Sequence, residues 1–287
     1  MPVNNRVFRP VLRQSHRRLS PRGNTVRDWV RTSVPRCTDF GSSDYNPDTS
    51  AMIIRTTDDS QVFITQPDHA RLAAEAIANW HGEGFDDNPR RASILLAARE
   101  HDNGWREEDS LTHVDANGKA LDFICVPIEV RHRIWPRAVD RLGEQDPYAA
   151  ALVAQHALTV YGHFESDLAW DPFFEIMRER CAAQLARSDA GMAGHLLGDY
   201  RFVHAADRIS LAFCTGWPQP LESYGHRIIL RHDTVEVSPD PFSGARIPLR
   251  IRARRLPARE YASAAHLRAA LDDAPVEVIE GEAGGPQ

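Results

Sequence analysis

The spacing of apolar and polar positions changes twice along the chain. From Met52, two short β-type runs, Met52-Ile-Ile-Arg-Thr-Thr57 and Gln61-Val-Phe-Ile-Thr65, flank Asp58, Asp59 and Ser60, and predict a hairpin over 52–65. Helical spacing follows. Thr65-Gln-Pro-Asp68 reads as a capping box before a helix reaching about Trp80, with Leu72, Ala73, Ala76 and Ile77 turned inward. Asn88-Pro89, Asp146-Pro147 and Asp171-Pro172 each set an N-cap residue before a proline suited to the first helical turn. They predict helices over about 89–103, 147–163 and 172–188, and a further helix covers about 192–215. A weaker helical pattern over 127–142 is interrupted by Pro136. After Pro220 the period drops to two. Ile228-Ile-Leu230, Val235-Glu-Val237 and 247–253 read as half-exposed strands, with Pro248 moving the last to a sheet edge or to a later start. A short amphipathic helix lies at about 263–271, and the acidic, glycine-rich stretch 276–287 reads as a flexible tail.

Residues 1–51 have no hydrophobic period and many turn formers, so they read as a disordered extension, with Met52 as the start of the patterned chain. The expected organisation is that extension, one domain over 52–275, and the tail. The expected fold is mainly α, a helical bundle with a small β appendage made from the N-terminal hairpin and the C-terminal strands.

Composition narrows the classes. The 287 residues are 42% hydrophobic and 26% charged, enough for a substantial core. No apolar run approaches the roughly 18 residues of a membrane span, and arginines break up the N-terminus where a signal peptide would need an apolar stretch. Cys37, Cys125, Cys181 and Cys214 are too far apart for a Cys-x-x-Cys motif or a disulfide framework, so a reducing cytoplasm is the expected compartment. The net charge of −6 divides into +5 over residues 1–51 and −11 over the rest. The main body lacks a basic footprint, and neither nucleic acid nor membrane is an expected partner.

The informative residues are polar groups on helix faces that otherwise carry aliphatic side chains. His69 stands one turn before Ala73, His101 and Asp102 each follow Ile94 and Leu95 by seven positions, His156 shares a face with Leu152, Val153 and Val160, and Asp207 lies among Val203, Ser210, Leu211 and Cys214. Each alone has an ordinary explanation, a histidine satisfied by a carbonyl or an aspartate paired with a cation. Several unpaired buried carboxylates are costly, and convergence on one divalent cation reconciles them.

His69, the doublet His101-Asp102, and Asp207 within Ala206-Asp-Arg-Ile-Ser-Leu211, in that order and on helices, resemble the HD-domain superfamily of metal-dependent phosphohydrolases. More narrowly, Gln66-Pro-Asp-His69, His101-Asp-Asn-Gly-Trp105, Ala154-Gln-His156 and Asp207-Arg-Ile-Ser-Leu211 are similar to an uncharacterised bacterial domain-of-unknown-function family with an HD-like helical core, over about Met52 to Leu271. The resemblance implies an HD-like helical bundle and a metal site of His69, His101, Asp102, His156 and Asp207. Asp102 takes the catalytic role in that scheme, and His156 matches an additional histidine that some members use at a second metal. The ion is Mn, Fe, Zn, Co, Ni or Mg, and the expected function is hydrolysis of a small phosphate ester or nucleotide. The other reading is a non-catalytic HD-like module that holds a metal or ligand. No lysine accompanies the doublet; Arg99, Arg106 and Arg208 are the candidate substitutes for holding phosphate, and His204 is a candidate extra ligand.

Overall fold

The computed structural model describes residues 52–286; the segment 1–51 lies outside them. The expected hairpin forms, with β1 (Ile53–Thr56) against β2 (Ser60–Ile64) and Ile53 opposite Ile64. Thr65 then caps α1 (Gln66–Ile77): its hydroxyl accepts from the Asp68 amide at 3.2 Å and donates to the Asp68 carboxylate at 2.9 Å. Asn88 turns the chain by accepting from the Arg90 amide at 2.9 Å, and α2 (Arg91–Glu100) starts just beyond it. The next helix, α3 (Ile128–Gly143), passes through Pro136 without the expected interruption, because Val130, Ile134, Trp135, Ala138, Val139 and Leu142 bury one side of it. Asp146 caps α4 (Pro147–Val160) through the Ala149 amide at 3.0 Å, and α5 (Asp171–Arg187) and α6 (Leu196–Thr215) complete the main helical layer.

The C-terminal part corrects the expected fold class. Strands β3 (Leu221–Ser223), β4 (His226–Arg231), β5 (Thr234–Ser238) and β6 (Ile247–Pro257) are followed by α7 (Ala264–Asp273) and β7 (Val276–Gly284). With the hairpin they build one seven-stranded sheet in the order β1-β2-β6-β7-β5-β4-β3, mixed because β5 and β7 run parallel. The sheet curls into a half-barrel, and half of the described residues are helical. It is a full layer and no small appendage on an HD-like bundle. Strand β6 lies inside the strand order, but β2 pairs only with its 254–257 end, so the segment around Pro248 is bonded to β7 on one side, in keeping with the expected edge position.

The expected flexible tail at 276–287 is likewise corrected. Residues 276–284 are β7, which pairs with β6 from Val276 opposite Arg254 to Ala283 opposite Ile247. Its glutamates had suggested a solvated tail, but they answer arginines on β6. Arg250 pairs with Glu280 directly opposite it at 2.8 Å, and Arg255 with Glu277 at 2.8 Å. Such exposed cross-strand pairs contribute about 0.2–1 kcal/mol each and help fix register. Gly281 allows the close approach of β7 to α6: a Cβ there would meet the Asp233 carbonyl at 2.3 Å and the Phe213 ring at 2.5 Å.

Helix α6 lies between the layers, touching α1, α2 and α4 on one side and β1, β3, β4 and β5 on the other. Residues 202–215 are therefore buried on all sides, His204, Asp207, Arg208 and Ser210 included. A second core, Met52, Phe63, Leu256, Tyr261, Leu267, Leu271 and Ala274, sets α7 against the β1–β2–β6 end. No described helix is long and apolar enough to cross a membrane.

Because β7 bridges β6 and β5, deleting residues 276–287 should split the sheet and expose the sheet face of α6. The expected result is aggregation or loss of cooperative melting. A soluble variant melting within about 2 °C of the intact chain would contradict this placement.

Candidate functional site

Four of the five expected residues meet where α1, α2 and α6 come together. His69 projects from α1, His101 and Asp102 follow the last residue of α2, and Asp207 comes from the middle of α6. His69 Nε2 lies 3.1 Å from Asp207 Oδ1 and 3.7 Å from Asp102 Oδ2. His101 Nε2 lies 3.2 Å from Asp102 Oδ2 and 3.6 Å from Asp207 Oδ1, and the two Nε2 atoms are 3.3 Å apart. Ligand atoms of His69, His101 and Asp207 fall within 4.8 Å of one another, the geometry of a possible metal triad. Asp102 stands at its rim. Its side chain is 10% exposed, while those of His69 and His101 are 1% exposed.

The far sides of both imidazoles fix their proton positions. Ser210 Oγ donates to the His69 carbonyl at 2.8 Å, so at its 2.7 Å contact with His69 Nδ1 it must accept. His101 Nδ1 lies 2.8 Å from the Ala98 carbonyl, which can only accept. Both Nδ1 atoms thus carry hydrogen. In the neutral rings both Nε2 atoms present bare lone pairs to each other and to two carboxylates. Four acceptors facing one point require a positive charge among them, either protons on the rings or a cation.

Without a cation, protons do this work. Burial opposes charge on His101, but the Asp102 and Asp207 carboxylates outweigh it and hold its pKa well above the usual histidine value. Burial likewise opposes ionisation of Asp207 and Asp102. For Asp207 the hydrogen bonds of His101 and His69 prevail and hold its pKa well below the usual value; for Asp102 the charge and hydrogen bond of His101 lower it.

His156 is adjacent to this group without joining the triad. Its ring centroid is 5.0 Å from that of His101, and its Nδ1 is 3.1 Å from the Tyr200 hydroxyl. Burial is the main cause that lowers its pKa to about 4, which keeps it neutral. His204 turns away, its Nδ1 being 2.8 Å from Ser223 Oγ on β3. Of the three candidate phosphate-holding arginines only Arg208 is near, with Nε 3.9 Å from Asp207 Oδ2. Arg99 is mostly exposed, and Arg106 pairs with Glu100 at 2.6 Å.

The turn after the doublet is held by residues that the helix pattern did not reveal. Asn103–Trp105 form a short 3-10 turn on α3, where a Cβ on Gly104 would come 2.0 Å from the Ile134 carbonyl. Arg141 donates to the Asn103 carbonyl at 2.7 Å and Arg137 to the Gly104 carbonyl at 3.1 Å. Asn-Gly read only as a helix stop. Ser210 did carry a signal: it follows Asp207 by three residues, which puts it on the same helix face.

Residues 52–258 match the family described as Protein of unknown function (DUF3891). No curated protein and no solved structure gives a significant match.

Two outcomes follow from the proton arrangement. Ser210→Ala leaves the His69 Nδ1–H unpartnered in a buried site, which should cost about 1–3 kcal/mol and lower metal affinity by about 10- to 100-fold. Chemical denaturation and metal titration check this; unchanged values would contradict the assigned tautomer. The second outcome concerns pH. His101, raised in the folded chain, contributes stability that is complete below about pH 6.5 and is lost as pH rises through its folded value. Asp102 and Asp207, depressed, contribute stability present above about pH 4 and lost only as pH falls through their lower folded values. In chelator, the stability advantage of the wild type over His101→Gln should therefore shrink from pH 6 to pH 9. A constant or widening gap in thermal melts would count against the ion pairs.

Proposed function

The chain belongs to the DUF3891 family of proteins of unknown function, and we propose that it is a divalent-metal-dependent phosphohydrolase acting on a phosphate ester or nucleotide. The observation that carries the proposal is the convergence of two bare imidazole nitrogens and two carboxylates on one buried point. Two neutral imidazoles and two carboxylates carry a formal charge of −2, which a divalent ion cancels. The mixed nitrogen and oxygen donors suit Mn, Fe, Co, Ni or Zn better than Mg, which favours oxygen and water. The order of His69, His101-Asp102 and Asp207 is also the feature that resembles the HD-domain phosphohydrolases.

Each residue has a distinct part in this reading. Ser210 and the Ala98 carbonyl hold the rings of His69 and His101 with Nε2 directed inward. Asp207 supplies a buried oxygen from α6, the helix enclosed between the two layers. These groups would hold a divalent ion, whose chemistry when bound would be to polarise a phosphoryl oxygen and to acidify a water at neutral pH. Asp102, the group that reaches solvent, would orient a water and take its proton in this reading. His156, neutral and edge-on to His101, completes the wall.

The burial of the site favours a second reading, a module that binds metal without turnover, since solvent reaches the group chiefly at Asp102. The experiment separates the two. Protein purified without chelator should contain about one ion per chain, and Asp102→Ala and Asp207→Ala should lose most of it, whereas exposed His195→Ala should not. Hydrolysis of a panel of phosphomonoesters, phosphodiesters and nucleotides, abolished by the same two substitutions, would establish the enzyme. Metal without turnover would leave the binding module. Wild type that neither holds nor takes up any of these metals would overturn both.

A further inference from the structure

Four arginines of β6 meet β7 in two different ways. Arg250 and Arg255 are paired with Glu280 and Glu277, each at 2.8 Å. Arg252 and Arg254 stand between them, two residues apart and so on one face of the strand, opposite Val278 and Val276. Arg254 donates to the Ala274 carbonyl and Arg252 is exposed, and neither forms an ion pair with a carboxylate among the described residues. The two valines are themselves 45% and 50% exposed. Where glutamates answer the arginines the two strands neutralise each other; where valines do, the positive charge is left over and apolar surface lies beside it.

Both arginines line a cavity of about 240 Å³ that α7 and the start of α1 also border. It is smaller than the roughly 300–1,000 Å³ of pockets for drug-sized ligands, so its occupant is small. Met52, Phe63, Leu271 and Val276 make its apolar wall, and exposed Arg252 keeps it within reach of solvent. The other charged groups around it do not cancel the two arginines. Arg268, from α7, is taken up by Asp272, to which its Nε donates at 3.0 Å. Asp68 is held by Arg71 at 3.2 Å and by the Thr65 hydroxyl at 2.9 Å. Asp109, 7% exposed, accepts from the Gln66 amide at 2.9 Å through Oδ2, while its Oδ1 has no hydrogen-bond partner. Burial, and after it the charges of Asp102, Asp68 and Glu108, hold its pKa well above the usual carboxylate value, which favours the uncharged acid.

We propose that this cavity binds a small organic anion, a carboxylate or phosphate head carried on a short apolar body. Arg252 and Arg254 meet the head with charge-assisted N–H donors, and Phe63, Leu271 and Val276 cover the body. The site is distinct from the metal-ligating group, since none of His69, His101, Asp102 and Asp207 lines the cavity. It therefore stands whether or not the chain hydrolyses phosphate esters.

The test is calorimetry on the full-length protein in chelator, with hexanoate and hexyl phosphate as probes. At least one should bind at millimolar concentration, and the one that does identifies the head. Acetate and orthophosphate, which lack the body, should bind at least about tenfold more weakly, and hexylammonium, with the body and the opposite charge, should not bind. Arg252→Gln, at an exposed position, should weaken binding at least about tenfold, whereas Arg250→Gln, which removes the partner of Glu280, should leave it unchanged. Thermal midpoints of both variants separate loss of the ligand from loss of the fold; should Arg252→Gln melt early, Arg252→Lys keeps the charge without the fork of donors and should still weaken binding. Wild type that binds neither probe, hexylammonium bound as tightly as the anions, or an equal loss in the Arg250 and Arg252 variants would overturn the site. Because chelator is present throughout, a chain that takes up no metal and still binds the probe through Arg252 keeps this site and loses the phosphohydrolase.

Discussion

Two hydrogen bonds made on the far sides of two imidazoles set the chemistry of this protein. Ser210 and the Ala98 carbonyl fix hydrogen on Nδ1 of His69 and His101, and so direct both Nε2 lone pairs into a point already faced by Asp102 and Asp207. Such a group cannot be neutral and uncharged in its parts at once. It must hold protons or a cation, and each choice carries a different dependence on pH. A buried cluster of acceptors is expensive unless that charge is present, so the surrounding structure has to be strong enough to keep it together.

The two-layer architecture supplies that strength. Helix α6 is enclosed between the helices and the curled sheet, so Asp207 and Ser210 are fixed from both sides. His204 ties the same helix to Ser223 at the start of the sheet. The strands that a sequence reading treats as an accessory are thus part of the support of the site. On the opposite side, Gly104 lets the turn after His101-Asp102 rest on the backbone of α3, where Arg137 and Arg141 bind its carbonyls.

Much of this was legible in the chain itself. Helix starts at Thr65 and Asp146 form because side-chain caps act locally, and the polar residues on aliphatic faces pointed to His69, His101, Asp102 and Asp207, whose side chains the fold brings close together. What escaped was non-local. Strand β7 has the composition of a solvated tail until the arginines of β6 lie opposite its glutamates, and the sheet's extent depends on that pairing. Pro136 looks like a break, yet tertiary burial carries α3 through it. Gly104 and Ser210 have roles defined by what they touch across the fold.

The most direct measurement is a crystal structure of the protein equilibrated with Mn at neutral pH, with anomalous scattering recorded to locate the ion. The account predicts one strong peak among His69 Nε2, His101 Nε2, Asp102 and Asp207, at about 2.0–2.3 Å from each donor, with the Ser210 and Ala98 hydrogen bonds to Nδ1 intact. A crystal that takes up Mn only at exposed carboxylates, and leaves the two Nε2 atoms within 3.5 Å of each other with nothing between them, would contradict it.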